Sequence, residues 1–259
     1  MGLVAFTATP VYGWNTLQVG ARGDKASINS SGVSVAIRTH IYVATEGDLD
    51  YFWVGFDLAD GSFVQFGYSL QPGDQCLKGE AISGTPICQG ATENIGSSDT
   101  RWQWQFWPNR YWVDYYWGIG PADSAGVNGT WNTYTIAPSG KGVGWSFQLN
   151  GKEIDHISFG PSQSIDPVKF IAEKGFASQK QGDTLGPVEF RNLSYLQSDG
   201  WHLTESLTAS EVCAPQCNLQ NPFGVAVDGP GGYMVAGSGI RQPSNGAVLW
   251  SGQPINYPS

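Results

Sequence analysis

Apolar and polar positions alternate every second residue in short runs along most of the chain, and this period of two predicts β-strands. Val33-Ser34-Val35-Ala36-Ile37 and Trp145-Ser146-Phe147-Gln148-Leu149 are two such runs, rich in the β-branched and aromatic residues that suit a pleated surface. Leu149-Asn150-Gly151-Lys152-Glu153-Ile154 places Asn-Gly between two of them, which predicts a tight β-hairpin. Sustained helical periodicity is missing, and Thr204 to Val212 is the best candidate for a short helix. The pattern predicts an all-β fold, a two-sheet antiparallel sandwich. After Trp201 the runs shorten among Cys, Pro and Gly, so the expected division is a sandwich over 1–200 with a loop-rich C-terminal extension, 201–259, packed on it.

Two segments lack the alternation, Gln71 to Thr100 and Asp114 to Asn132, and both are rich in Gly, Ser and Asp. Loops of that length in a compact domain usually bind or cover something. Composition then narrows the class. Of 259 residues 41% are apolar, with 11 Trp, 11 Tyr and 12 Phe, which is ample for one large core. Only 14% are charged, against roughly 25% in ordinary domains. The formal net charge of -9 argues against nucleic acid as a partner. Few carboxylates also means few native ion pairs to lose on protonation, so work in acid is an expectation.

Four cysteines fall as two local pairs, Cys76 with Cys88 and Cys213 with Cys217, in segments that read as stapled loops. Such staples point to an extracellular compartment, and acceptor sequons at Asn29, Asn128 and Asn192 agree with export. The start, Met1-Gly2-Leu3-Val4, has no basic segment leading into an apolar one, so the expectation is of a secreted chain whose signal is not in this sequence. No apolar run approaches the ~20 residues of a membrane span. His40, His156 and His202 stand singly, away from the cysteines, so no metal or other cofactor is expected.

The densest chemical signal is Arg101-Trp102-Gln103-Trp104-Gln105-Phe106-Trp107-Pro108. On a strand Trp102, Trp104 and Phe106 share one face and Gln103, Gln105 and Trp107 the other. One row suits a core, and the row with amide tips suits a concave aromatic cleft for sugar rings or extended peptides. Upstream, Phe52 to Leu58, an Asp60-Gly61 turn and Ser62 to Tyr68 predict a hairpin with Gln65 in mid-strand, Phe63 and Gly67 beside it on one face. Gly67 would admit another chain or a ligand close to the backbone. On pattern alone Gln65 is more simply explained as a structural amide bonded to a neighbouring loop. Downstream, Glu173 ends the apolar strand Val168-Lys169-Phe170-Ile171-Ala172, where a carboxylate is paired, at the strand mouth, or functional. In Val188-Glu189-Phe190-Arg191-Asn192-Leu193, Glu189 and Arg191, with Leu193, would share a face as a surface ion pair.

Taken in order, Trp53-Val54-Gly55-Phe56-Asp57, Gln65-Phe66-Gly67, Trp104-Gln105-Phe106-Trp107-Pro108, Phe170-Ile171-Ala172-Glu173 and Pro187-Val188-Glu189-Phe190 resemble the glutamic peptidases, the eqolisin family. The resemblance spans roughly residues 30 to 200 and rests on collinearity. It implies a concanavalin A-like jelly roll with catalytic Gln65 and Glu173, and a polypeptide substrate held by Trp53, Asp57, Trp102, Trp104 and Gln105. Glu173 would take a proton from the attacking water and return it to the leaving amine. The Gln65 amide would donate to the developing oxyanion. Gln105 stands where the family carries a Glu.

Two rivals share the architecture. A carbohydrate-binding module or glycosidase would stack a glycan on the aromatic face, and the enzyme form needs a second carboxylate near Glu173, for which Asp57 and Glu189 are the candidates. A non-catalytic surface or filament protein would use the aromatic loops, or an N-terminal strand left outside the sandwich, for subunit contacts.

Overall fold

The computed structural model describes residues 16–42, 49–71, 99–107, 116–121, 123–140, 144–158, 163–175, 184–214, 223–228 and 232–240. Fifteen strands carry almost all of the regular structure. In chain order they are β1 (Thr16–Arg22), β2 (Gly32–Arg38), β3 (Leu49–Asp57), β4 (Phe63–Gln71), β5 (Asp99–Trp107), β6 (Tyr116–Ile119), β7 (Trp131–Pro138) and β8 (Trp145–Leu149). Then follow β9 (Lys152–Ile157), β10 (Lys169–Gly175), β11 (Val188–Gln197), β12 (Gly200–Leu203), β13 (Thr208–Ala214), β14 (Gly224–Asp228) and β15 (Tyr233–Gly237).

They form two antiparallel sheets packed face to face, the sandwich that alternation predicts, in the concanavalin A-like form that the family resemblance implies. One has seven strands in the order β13-β1-β10-β3-β4-β5-β6, the other eight in the order β14-β15-β11-β2-β7-β8-β9, with β12 paired to β11. Period-two alternation builds the core between them: Phe52, Val54 and Phe56 of β3 and Val64, Phe66 and Tyr68 of β4 point inward and are fully buried. Aromatic pairs knit the layers. Trp104 stacks on Phe147 at 4.6 Å, Phe56 meets Trp145 at 5.4 Å, and Phe66 meets Tyr134 edge-on at 5.1 Å. Each such ring contributes roughly 1.5–3 kcal/mol by leaving water.

The Asn-Gly hairpin forms as expected, joining β8 to β9 with both residues at positive φ, Asn150 at 53° and Gly151 at 77°. Other expectations change. The candidate helix from Thr204 to Val212 is instead largely strand β13, because pairing along β1 outweighs local preference. Strand β6 lies inside the expected loop from Asp114 to Asn132, paired with β5. The expected 201–259 extension, where described, supplies strands to both sheets rather than resting on them. Leu193 leaves the face of Glu189 and is buried, because a bulge with Asn192 at φ 56° interrupts β11 between Arg191 and Ser194. Glu189 and Arg191 do not pair: Glu189 takes Arg38 at 2.6 Å and the Tyr233 hydroxyl, while Arg191 lies 3.9 Å over the Trp131 ring.

Of the predicted staples, Cys76, Cys88 and Cys217 lie outside the described residues, and only the backbone of Cys213, in β13, is described. The segment from Gln71 to Thr100 is described only at its ends. Asn29, Asn128 and Asn192 are all exposed. Among the described residues no helix is long and apolar enough to cross a membrane.

Candidate active site

The face of the seven-stranded sheet turned away from its partner carries most of the residues singled out above. Cross-strand register shows why: Glu173 lies opposite Gln18 on β1 and Tyr51 on β3, Gly55 opposite Lys169 on β10 and Gln65 on β4, and Gln65 opposite Gln105 on β5. Directly opposed residues share a face, so Gln18, Glu173, Tyr51, Trp53, Asp57, Gln65 and Gln105 all do. Trp102 and Trp104 do not. They fall on the other parity of β5, where Trp104 packs into the core and donates its indole N–H to Asp155 at 2.8 Å, and Trp102 packs against that core. Of the two aromatic rows read in this segment, theirs is the interior one, and Gln103, Gln105 and Trp107 form the row on the site face.

The site is paved by aromatic rings lying along the sheet. Trp53, Tyr51 and Ile171 are buried there, joined by Phe63, whose ring meets Trp53 edge-on at 5.6 Å. Gly67 leaves room for this. It has no side chain between Trp53 and Gln103, and a Cβ would sit 1.8 Å from the Phe52 carbonyl oxygen.

Glu173 is the carboxyl set into this floor. Its Oε2 accepts the Trp53 indole N–H at 2.7 Å and the Gln18 amide at 3.1 Å. Neither donor is charged. Burial therefore pushes its carboxyl up from 4.5 to about 7, against the opposing pull of those two hydrogen bonds. No hydrogen bond reaches Oε1 from a described residue, and the side chain keeps some exposure. Tyr51 stands beside it. Burial first, then the nearby Glu173 charge, hold the Tyr51 phenol well above its usual value. Its hydroxyl donates to the Gln103 carbonyl at 2.8 Å.

Gln65 is buried and donates to Gln105 Oε1 at 2.6 Å, and its amide is near enough to the Tyr51 phenol to favour that group's ionised form slightly. Gln65 and Glu173 thus share a face and a neighbour. Their register separates them: Gly55, opposite Gln65, is four residues along β3 from Tyr51, opposite Glu173. That is about 13 Å along the strand and about 10 Å across two strand spacings. Across Gly55 from Gln65 stands Lys169, which pairs with Asp57 and lies 5.5 Å from the Phe63 ring centre. Asp57 is thereby an ion-pair partner at the far end of the face. Next to Gln65, Gln103 is buried with an Oε1 that accepts no hydrogen bond from a described residue.

Gln18 and Tyr51 were not among the residues picked from sequence. Tyr51 was legible in principle, two residues before Trp53 and so on its face. Gln18 was not, since its partner is 155 residues away. Among the described residues no cluster of His, Cys, Asp and Glu is arranged to hold a metal.

No family model matches the sequence, and no curated protein matches it. Solved structures do. A crystal structure of scytalido-glutamic peptidase with a transition state analog inhibitor aligns over 87% of this chain and 98% of that one, with 14% identity and a TM-score of 0.51. A second, with a peptide-based transition state analog, has the same coverage and identity and a TM-score of 0.43. Porphyranase B from Zobellia galactanivorans aligns over 86% of this chain and 75% of that one, at 9% identity and a TM-score of 0.30. At such identities the likeness establishes the sandwich fold and nothing finer.

Proposed function

We propose that this chain hydrolyses peptide bonds in extended polypeptides bound along the outer face of the seven-stranded sheet, with Glu173 as the acid–base group. The observation that carries the reading is the carboxyl itself: partly buried, held on one oxygen by two neutral donors, and pushed up to about 7. A base of that strength accepts a proton from water attacking the peptide carbonyl, and the same acid then gives it to the leaving amine. The new C–O bond forms as Glu173 takes the proton from water, the scissile C–N bond breaks as Glu173 returns it to the amine, and Glu173 ends ionised, as it began. The buried amides of Gln65 and Gln103 and the half-buried one of Gln105 offer donors and acceptors for a peptide backbone along the same face. The fold shared with a peptidase supports this reading only at the level of architecture.

Two parts of the reading shift under this geometry. With the Glu173 carboxyl pushed up to about 7, its base-competent form is the minor one in acid, so the proposed working range is near neutrality rather than the acid expected from composition. A glycosidase needs two carboxyl groups roughly 5 to 9.5 Å apart. Here Glu189 belongs to the other sheet, and Asp57 lies six residues along β3 from the position opposite Glu173. An extracellular setting is part of the proposal and rests on the spacing of the cysteine pairs.

The test is cleavage of a denatured protein from pH 3 to 9 by wild type and Glu173→Gln, with pepstatin and a chelator present. The expected result is cleavage that rises through pH 7 and is abolished in Glu173→Gln. Absence of cleavage at every pH would overturn the proposal and leave a face that binds without cutting.

A further inference from the structure

We infer that Gln18, rather than Gln65, is the amide that sets Glu173 for proton transfer, by clamping Oε2 together with Trp53 so that Oε1 is the atom presented to water. The inference rests on the reading of Glu173 as an acid–base group. Its ground is geometric. Gln18 on β1 is directly opposite Glu173 on β10, and their side chains meet at 3.1 Å. The Trp53 indole reaches the same oxygen from β3, on the other flank, at 2.7 Å. Two donors converging from both neighbouring strands fix the carboxyl plane. Gln65, by contrast, stands four residues along and two strands across, with its amide donated to Gln105.

The clamp has a chemical consequence. Both donors favour the ionised carboxylate, offsetting part of the burial that disfavours it. Gln18 is therefore a positioning residue, acting on the reaction through the carboxyl. The remaining groups on this face do not share that role. On β3 the titratable neighbour is Tyr51; on β1 it is Arg22, four residues from Gln18; farther along β10 and β3 are Lys169 and Asp57, paired with each other. The other neighbour across β1 is Val212 of β13, which does not titrate.

The experiment is a carboxyl carbon-13 NMR titration of the substrate-free protein, with the Glu173 signal identified by its loss in Glu173→Gln. Gln18→Met keeps the side-chain volume and removes the donor, so the Glu173 midpoint is expected to rise by about one unit. Gln18→Glu, which adds a like charge, raises it further, and Gln65→Ala leaves it in place. If cleavage is measurable, the rising limb of its pH profile moves with the midpoint in Gln18→Met, cutting kcat/KM at pH 6 about tenfold. An unmoved midpoint in Gln18→Met, or a larger movement in Gln65→Ala, would overturn the inference. Because the titration needs no substrate, it decides the role of Gln18 even if no peptide is cleaved.

Discussion

Glu173 and Lys174 are neighbours on β10, point to opposite faces, and meet the cost of burying a charge in opposite ways. Lys174 is fully buried and answered completely: Asp50 lies directly opposite it on β3 at 2.9 Å, the Thr184 carbonyl accepts from it at 2.9 Å, and the Tyr42 hydroxyl holds the other oxygen of Asp50. Among the described residues Glu173 has only neutral donors and no cation in contact. The interior site is therefore settled, while the outer one is left between protonation states near neutral pH. A strained ionisation of this kind lowers stability and enables proton transfer, and such groups concentrate where proteins do chemistry.

The sharpest way to break the contrast is to strip the interior pair of one member. Lys174→Met removes the cation opposite the buried Asp50, so denaturant unfolding should show a loss of about 3–5 kcal/mol. Adding Asp50→Leu to it should recover most of that loss. The outer site should respond with the opposite sign. Between 4.5 and about 7 the native Glu173 keeps a proton that the unfolded chain has lost, so stability falls as pH rises through that window. Glu173→Gln should accordingly stabilise the protein at pH 8 by about 3 kcal/mol or less, and the gain should vanish below pH 4.5. Smallest is the expected effect of Trp104→Phe, which removes an indole N–H donated to Asp155 within the core. It should lower the unfolding free energy by about 1–2 kcal/mol and leave both the Glu173 titration and any cleavage as they were. A change in cleavage there would return Trp104 to the binding face.

Alternation made most of this legible. It separated Gln103, Gln105 and Trp107 from Trp102 and Trp104, put Gln65 and Gly67 on one face, and predicted the Asn-Gly hairpin. The amide tips of Gln103 and Gln105 also marked the outward row correctly; it is the family resemblance, not alternation, that assigns Trp102 and Trp104 to a cleft they do not line. Three further differences have physical causes, one local and two set by long-range pairing. β13 carries Thr, Ser and Glu that imitate a helix start, and only its pairing with β1 makes it extended. A single residue at positive φ, Asn192, reverses the faces of β11 from that point. The two residues closest to Glu173 across the strands, Gln18 and Tyr51, belong to no motif, and register alone brings them there.

That register also carries a timetable. β1 is inserted between β10 and β13, so its hydrogen bonds connect the first described strand to strands more than 140 residues later. Contacts of such long range form late, because the loop must close before they return any stabilisation. Glu173 thus emerges from the ribosome long after Gln18, and the carboxyl acquires its two-sided clamp only when β1 docks into the sheet. A growing or partly folded chain would hold an ordinary carboxylate there, and the poised one would appear together with the finished sandwich.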